Sequence, residues 1–186
     1  MNRWMFCAFF IYALQAAALC IDEFFIHRKR NLPSWERWGH PLDTASVLIP
    51  TFLTVFFPFH ESLLFVFVVL GIFSCLFVTK DEWVHARVCS GLELWLHAVL
   101  FVCHPMAFVS TAFFWVVRSQ PSFLATQSDA WRVADIVLKG QAVTLAAFLL
   151  YQVIYWNFFR GKAFDSAVQL SSPMRQSESA DPQQFA

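Results

Sequence analysis

Long apolar stretches restrict this chain to one class of fold. Of its 186 residues, 58% are apolar and only 14% are charged, and the mean hydropathy is +0.53. A soluble domain of this length could not bury so much apolar surface. Inside a bilayer, every backbone polar group has to be hydrogen-bonded within the protein, and a helix achieves this within a single segment. The composition therefore predicts an all-α integral membrane protein.

Five stretches are apolar enough to predict transmembrane helices, which would form one bundle over residues 1–160. Their approximate bounds are 4–25, 41–57, 63–79, 81–117 and 133–159. Pro41 fits the first turn of the second helix, with His40 as its N-cap residue. The fourth stretch is too long for a perpendicular crossing, so we expect one helix that starts in the interface and bends near Pro105. Residues 161–186 are rich in Ser, Gln, Asp and Pro and are predicted to form a disordered tail.

The first apolar stretch has two interpretations. It could be a retained transmembrane helix, or a cleaved signal, including a lipoprotein signal that ends at Cys20. Leu19 stands where a lipoprotein signal would have a small residue, and the basic group that follows opposes export. That group comprises Arg28, Lys29, Arg30 and Arg37. The sequence therefore favours a retained helix.

Basic residues predict the orientation of the bundle, because cytoplasmic loops carry an excess of Lys and Arg. With five spans, one side of the membrane receives nine basic residues: Arg28, Lys29, Arg30, Arg37, Lys80, Arg87, Arg160, Lys162 and Arg175. The other side receives four: Arg3, Arg118, Arg132 and Lys139. The sequence thus predicts a multi-pass protein of the cell membrane (the inner membrane if the protein is bacterial), with its N-terminus outside and its C-terminus cytoplasmic. The formal net charge of zero gives no indication of nucleic-acid binding.

Six acidic, histidine and cysteine side chains share one face of the fourth predicted helix. Their spacings of three, four, four, four and seven residues keep them within roughly one third of the helix circumference. Ionisable groups at membrane depth are costly and usually face a protein interior, a cavity or a cofactor. The six residues are Glu82, His85, Cys89, Glu93, His97 and His104.

Carboxylate and imidazole pairs recur at helical spacing in three parts of the chain, and these groups together suit iron, zinc or manganese. The predicted metal ligands are Glu23, His27, His40, Asp43, Glu82, His85, Glu93 and His97. On one continuous helix, Glu82 and His97 would lie about 22 Å apart. We therefore expect the first six residues to form a site near the cytoplasmic face, with Glu93 and His97 deeper in the membrane.

Several of these side chains also have simpler interpretations. Solvated positions at the membrane interface fit three of the acidic and histidine residues equally well: Asp22, Asp81 and His40. Trp156 fits an interfacial aromatic belt. Glu93 and His97 could be a polar pair that only joins helices.

Three functional classes are compatible with these patterns. The first is a membrane metalloenzyme, such as an iron-dependent oxidoreductase acting on a lipid or quinone; the others are a metal-ion or proton transporter and a non-catalytic assembly subunit. Glu82-x-x-His85 matches the half-motif of soluble di-iron bundles, but it occurs only once and indicates no family. A haem would need an axial ligand from another segment, because His97 and His104 lie on one helix face.

The charge asymmetry can be tested with a reporter that is active only in the periplasm. Fused after residue 165, the reporter should be silent, because the predicted tail is cytoplasmic. The control fusion, between residues 118 and 132, should be active. A strong periplasmic signal after residue 165 would reverse the predicted orientation.

Overall fold

The computed structural model describes residues 3–30, 32, 34–80, 82–119 and 129–160, and this part of the chain is helical with no strands. Helix α1, Arg3–Ile21, continues as the π-helix π1, Asp22–His27, and the short helix α2, Arg28–Arg30. The longer helices that follow are α3 (Ser34–Phe56), α4 (Glu61–Phe77), α6 (Gly91–Ser119) and α7 (Ala130–Ile154). The short helix α5 is Glu82–Val88, and the π-helix π2, Tyr155–Arg160, follows α7. The prediction of an all-helical fold is confirmed.

Among the described residues, three helical segments are long and apolar enough to cross a membrane: Arg3–His27, Gly91–Ser119 and Ala130–Arg160. Glu61–Phe77 is a shorter apolar helix. Large apolar side chains such as Phe65 and Val109 are exposed on the outside of the bundle, as contact with lipid requires. These features indicate a membrane protein, while the count of five spans and the orientation stay predictions. The predicted disordered tail, residues 161–186, lies outside the described residues.

The main apolar core lies at the end of the bundle where α1 begins and α6 ends. Its buried members include Met5, Phe67, Phe114, Trp115 and Leu138, which come from α1, α4, α6 and α7. The rings of Phe67 and Trp115 lie 5.8 Å apart. Close packing of this kind holds helices together in a bilayer, where the hydrophobic effect contributes little.

The carbonyl groups at the C-terminal end of α3 accept hydrogen bonds from a side chain of α6. The helix stops at Phe56, shortly before Pro58, which disfavours helical backbone in the residue before it. Arg118 donates hydrogen bonds to the carbonyl oxygens of Val55, at 2.7 Å, and Phe57, at 2.9 Å. The terminal carbonyl groups of a helix need such partners.

Buried polar groups join the helices at mid-depth. Thr44 Oγ1 donates a hydrogen bond to Gln152 Oε1 at 2.7 Å and so links α3 to α7. Ser46, Ser74 and His104 form a hydrogen-bonded chain across α3, α4 and α6. The two hydroxyl oxygens are 2.7 Å apart, and Ser74 Oγ lies 3.0 Å from His104 Nε2. His104, the last residue of the polar face recognised in the sequence, thus serves helix packing.

Two helices, α5 and α6, occupy the region where one helix was predicted over residues 81–117. The helical conformation is interrupted at Cys89 and Ser90. The Glu93 N–H donates to Ser90 Oγ at 3.3 Å, and the Ser90 N–H donates to Glu93 Oε2 at 3.4 Å. This reciprocal pair is a capping box, which starts α6 at Gly91. Because α5 turns back at this point, Glu82 meets His97 instead of lying far from it on the same helix.

Helix α3 begins at Ser34, so His40 lies inside the helix and is not its N-cap residue. Pro41 has no N–H group and cannot bond to the carbonyl of Arg37 four residues earlier. Asn157 Nδ2 donates to that carbonyl instead, at 3.3 Å. Packing against π2 therefore allows α3 to extend through the proline.

The core position of Leu138 can be compared with a lipid-facing position on the same helix. Leu138 is fully buried, whereas Ile136 is 69% exposed. We expect Leu138→Ala to lower the free energy of unfolding by about 2 kcal/mol or more, because it leaves a cavity. The matched variant Ile136→Ala should cost under about 1 kcal/mol, since lipid fills the space. Denaturant titration in mixed micelles measures both, and equal losses would contradict this packing.

Candidate metal centre

Acidic and histidine side chains gather at the end of the bundle opposite the apolar core. They come from π1, from the first turns of α3, from α5 and from the start of α6, with π2 packed beside them. All but two are buried, and those two are partly buried. The nine residues, which we call the acidic-histidine cluster, are Asp22, Glu23, His27, Glu36, His40, Glu82, His85, Glu93 and His97.

The π-helical turn brings two carboxylates to one imidazole. His27 Nε2 lies 3.4 Å from Asp22 Oδ2, and His27 Nδ1 lies 3.6 Å from Glu23 Oε2. In an α-helix, residues four apart share a face but residues five apart do not. The wider i→i+5 turn places both acids against the histidine, and such turns are frequent at functional sites. The indole N–H of Trp156 donates to Glu23 Oε1 and holds this carboxylate in place.

Four buried side chains form a group that could hold a metal ion: Asp22, His27, Glu93 and His97. One ligand atom from each lies within 4.8 Å of all the others. His27 Nε2 is 3.7 Å from Glu93 Oε1, and His97 Nε2 is 3.7 Å from Asp22 Oδ1. Metal–ligand bonds of 2.0–2.2 Å in a tetrahedron separate ligand atoms by about 3.3–3.6 Å. The two spacings of 3.7 Å are close to this separation, and the other spacings in the group are within 4.8 Å.

A second group consists of Glu82, His85 and His97, again with ligand atoms within 4.8 Å of one another. Glu82 Oε1 lies 3.2 Å from His85 Nδ1 and 3.5 Å from His97 Nδ1. On its other side, His85 Nε2 lies 3.3 Å from Oε1 of the buried Glu36. The two groups therefore share His97 and together form one continuous cluster.

Two carboxylates raise the pKa of His85. Burial alone would lower it, but the contacts with Glu36 and Glu82 outweigh burial and raise the pKa above its usual value. Below that raised pKa, the imidazole of His85 is protonated. A metal ion at the second group would therefore have to displace a proton from it. Metal affinity there should therefore fall as the pH falls.

Five of the eight predicted ligands belong to these two groups: His27, Glu82, His85, Glu93 and His97. Glu23 lies behind His27, facing its Nδ1 atom. The ring of His40 lies 4.7 Å from the ring of His27, so His40 is close to the first group but outside it. Asp43 contacts Lys80 Nζ at 2.7 Å and belongs to neither group. The role of these residues as ligands stays a prediction.

Glu93 and His97 are not deeper than the other residues. The expected separation of Glu82 from His97 assumed a continuous helix, whereas the capping box at Ser90 places both groups at one end of the bundle. A Ser-x-x-Glu pattern is typical of the first residues of a helix. Ser90 and Glu93 therefore indicate, in the sequence, that a new helix starts here.

Sequence reasoning missed three residues of the centre. The sequence is compatible with a solvated interface position for Asp22, but the structure buries this side chain. Its spacing of five residues from His27 matches no α-helical face, so only the π-helical turn accounts for it. Glu36 stands four residues before His40, a helical spacing that would have indicated it if α3 had been extended past Pro41. Trp156 was assigned to an interfacial belt, yet it is 1% exposed and bonds to Glu23.

Comparison with protein-family models, with curated proteins and with solved structures finds no match for this chain. The function of the acidic-histidine cluster therefore has to follow from its own chemistry and geometry.

Replacing Trp156 tests whether Glu23 supports His27 as a ligand. Trp156→Phe keeps an aromatic ring but removes the donor to Glu23, so His27 loses a fixed partner at Nδ1. Changing such a partner typically lowers metal affinity about 10–100-fold. Competition against a zinc-binding dye measures the affinity. The control variant Trp131→Phe, at a partly exposed position far from the cluster, should bind metal with the affinity of the parent. Equal affinities in the two variants would contradict the supporting role of Glu23.

Proposed function

We propose that this chain is a membrane metalloprotein that binds a transition metal ion between Asp22, His27, Glu93 and His97. One observation carries the proposal: four buried ligand atoms from π1 and α6 converge within 4.8 Å of one another. Two of the side chains are carboxylates and two are imidazoles. Neither π1 nor the start of α6 could form the site alone, so the fold assembles it.

The distances within this group are longer than those of ordinary hydrogen bonds. The nitrogen–oxygen separations of 3.4, 3.7 and 3.7 Å exceed the usual 2.7–3.2 Å of an N–H···O hydrogen bond. They do suit ligands that share one ion. Asp22 Oδ1 is buried and makes no hydrogen bond within the described part of the chain. Buried polar oxygens are usually satisfied, and a bound ion is one way of satisfying them.

A second pair of carboxylates supports the two histidines of this site. His27 presents Nε2 to the group, while Nδ1 faces Glu23. His97 presents Nε2 to the group, while Nδ1 faces Glu82. Metal-ligating histidines commonly donate their second N–H to a carboxylate, which fixes the ring and raises its basicity. In the proposed site a carboxylate faces the second nitrogen of each imidazole, at 3.6 Å for His27 and 3.5 Å for His97.

The donor set suits iron, manganese or zinc, because it combines imidazole nitrogen with carboxylate oxygen and contains no thiolate. A bound iron or manganese ion would supply redox chemistry, and a zinc ion would supply Lewis-acid chemistry. Within this range, an iron-dependent oxidoreductase acting on a lipid or quinone is the function that we put forward. The chain's own residues would hold the ion and keep bulk water away from it.

An open apolar groove on the lipid-facing surface of the bundle would accept a membrane-soluble substrate. The groove lies between α1 and α6, the helices that lead into Asp22 and His97, and has a volume of about 410 Å³. Its walls include Ile11, Leu14 and Val102. Hydrocarbon chains could occupy such a groove, whereas a polar substrate would find no partner there.

Transport is less well supported than a resident metal. An ion path would need ionisable groups along the depth of the bundle. Beyond His97, the next histidine of α6 is His104, about 10 Å further along the helix, and it is hydrogen-bonded to Ser74. The metal-binding groups gather at one end, as expected for an ion that stays bound. If metal analysis finds no ion, the result favours the alternative function, an assembly subunit without metal.

Elemental analysis of the detergent-purified protein tests the proposal directly. The parent protein should contain at least one equivalent of iron, manganese or zinc per chain. His27→Gln keeps a similar volume and removes the central imidazole of the site, so it should lower the metal content at least tenfold. The matched control is His60→Gln, at the exposed N-cap histidine of α4. Parent protein without metal, or full metal content in His27→Gln, would contradict the proposal.

A further inference from the structure

The two ring nitrogens of His97 face two different groups of ligands. Nε2 lies 3.7 Å from Asp22 Oδ1, in the group that also contains His27 and Glu93. Nδ1 lies 3.5 Å from Glu82 Oε1, in the group that also contains His85. The imidazole of His97 therefore stands between two sets of converging donor atoms.

The other two histidines of these groups are arranged differently. His27 turns one nitrogen towards its group and the other towards Glu23, which belongs to neither group. His85 turns Nδ1 towards Glu82 and Nε2 towards the buried Glu36, which also belongs to neither group. Each therefore has a carboxylate behind it, as a histidine bound to one metal ion commonly does. For His97, the carboxylates at both nitrogens are themselves members of the two groups.

We infer that the acidic-histidine cluster is a two-metal centre in which His97 bridges the two ions. The first ion would be held by Asp22, His27, Glu93 and Nε2 of His97. The second would be held by Glu82, His85 and Nδ1 of His97. This inference rests on the proposed function, because it adds a second ion to the site described above. A ring that ligates through both nitrogens carries no N–H proton, so binding of the second ion releases that proton to solvent.

The charge of the cluster supports a second ion. Five carboxylates take part: Asp22, Glu23, Glu36, Glu82 and Glu93. One divalent cation would offset two of these negative charges. Buried carboxylates need cations or hydrogen-bond donors close to them, most of all in a membrane-embedded bundle. A second divalent cation beside Glu82 would offset two more.

The two positions differ in their access to solvent. All four residues of the first group are buried. The Glu82 side chain of the second group is 32% exposed. The second ion should therefore exchange with solvent faster than the first, and a chelator should remove it first.

Cobalt(II) titration of the metal-free protein tests the inference without any assay of activity. The parent protein should bind two equivalents per chain. Low-temperature electron paramagnetic resonance should show a signal at the first equivalent that weakens at the second, because an imidazolate bridge couples the two spins. A signal that doubles at the second equivalent would show two independent ions and overturn the bridge.

Variants of the second group separate this inference from the proposed function. Glu82→Gln and His85→Gln should each bind one equivalent and retain the uncoupled signal. Glu61→Gln, at an exposed acid at the opposite end of the bundle, should bind two. If the parent binds a single equivalent and His85→Gln retains it, the two-metal centre is wrong while the single site stands. If His27→Gln binds as much cobalt as the parent, the proposed function itself fails.

Discussion

Carboxylates inside an apolar helical bundle need cations or hydrogen-bond donors around them, because an isolated buried charge is unstable. This chain places four buried carboxylates and one half-buried carboxylate in a single region with four histidines. That requirement accounts for the arrangement of one whole end of the molecule. The apolar core at the other end provides the packing that a bundle with such a region needs.

Three local departures from regular α-helix build the site. The π-helical turn at Asp22–His27 lets one histidine face two acids. The capping box at Ser90 ends α5 and starts α6, so that His97 meets Glu82. Asn157 takes up the carbonyl that Pro41 leaves free, which keeps the first turns of α3 helical. The second and third departures have an identifiable hydrogen-bonding cause, and each of the three brings ligand-type side chains together.

Composition and periodicity were sufficient to predict an all-helical membrane protein and to single out most members of the acidic-histidine cluster. Five of the predicted ligands converge because they stand near helix ends that meet at one side of the bundle. Asp22, Glu36 and the depth of Glu93 were not predictable from α-helical spacing, because their positions depend on a π-turn, a proline inside a helix and a helix break. Asp43 has ligand chemistry and suitable spacing, but tertiary structure pairs it with Lys80. Spacing identifies faces of helices, whereas the neighbours of those faces follow only from packing.

The most direct test of this account is an experimental structure of the purified protein with anomalous diffraction data collected at the absorption edge of its metal. The account predicts an anomalous peak within about 2.0–2.2 Å of the ligand atoms of Asp22, His27, Glu93 and His97. Loss of the peak in Glu93→Gln, with the fold unchanged, would agree with this assignment. A well-ordered cluster without a peak, in which the carboxylates and imidazoles bond directly to one another, would contradict it.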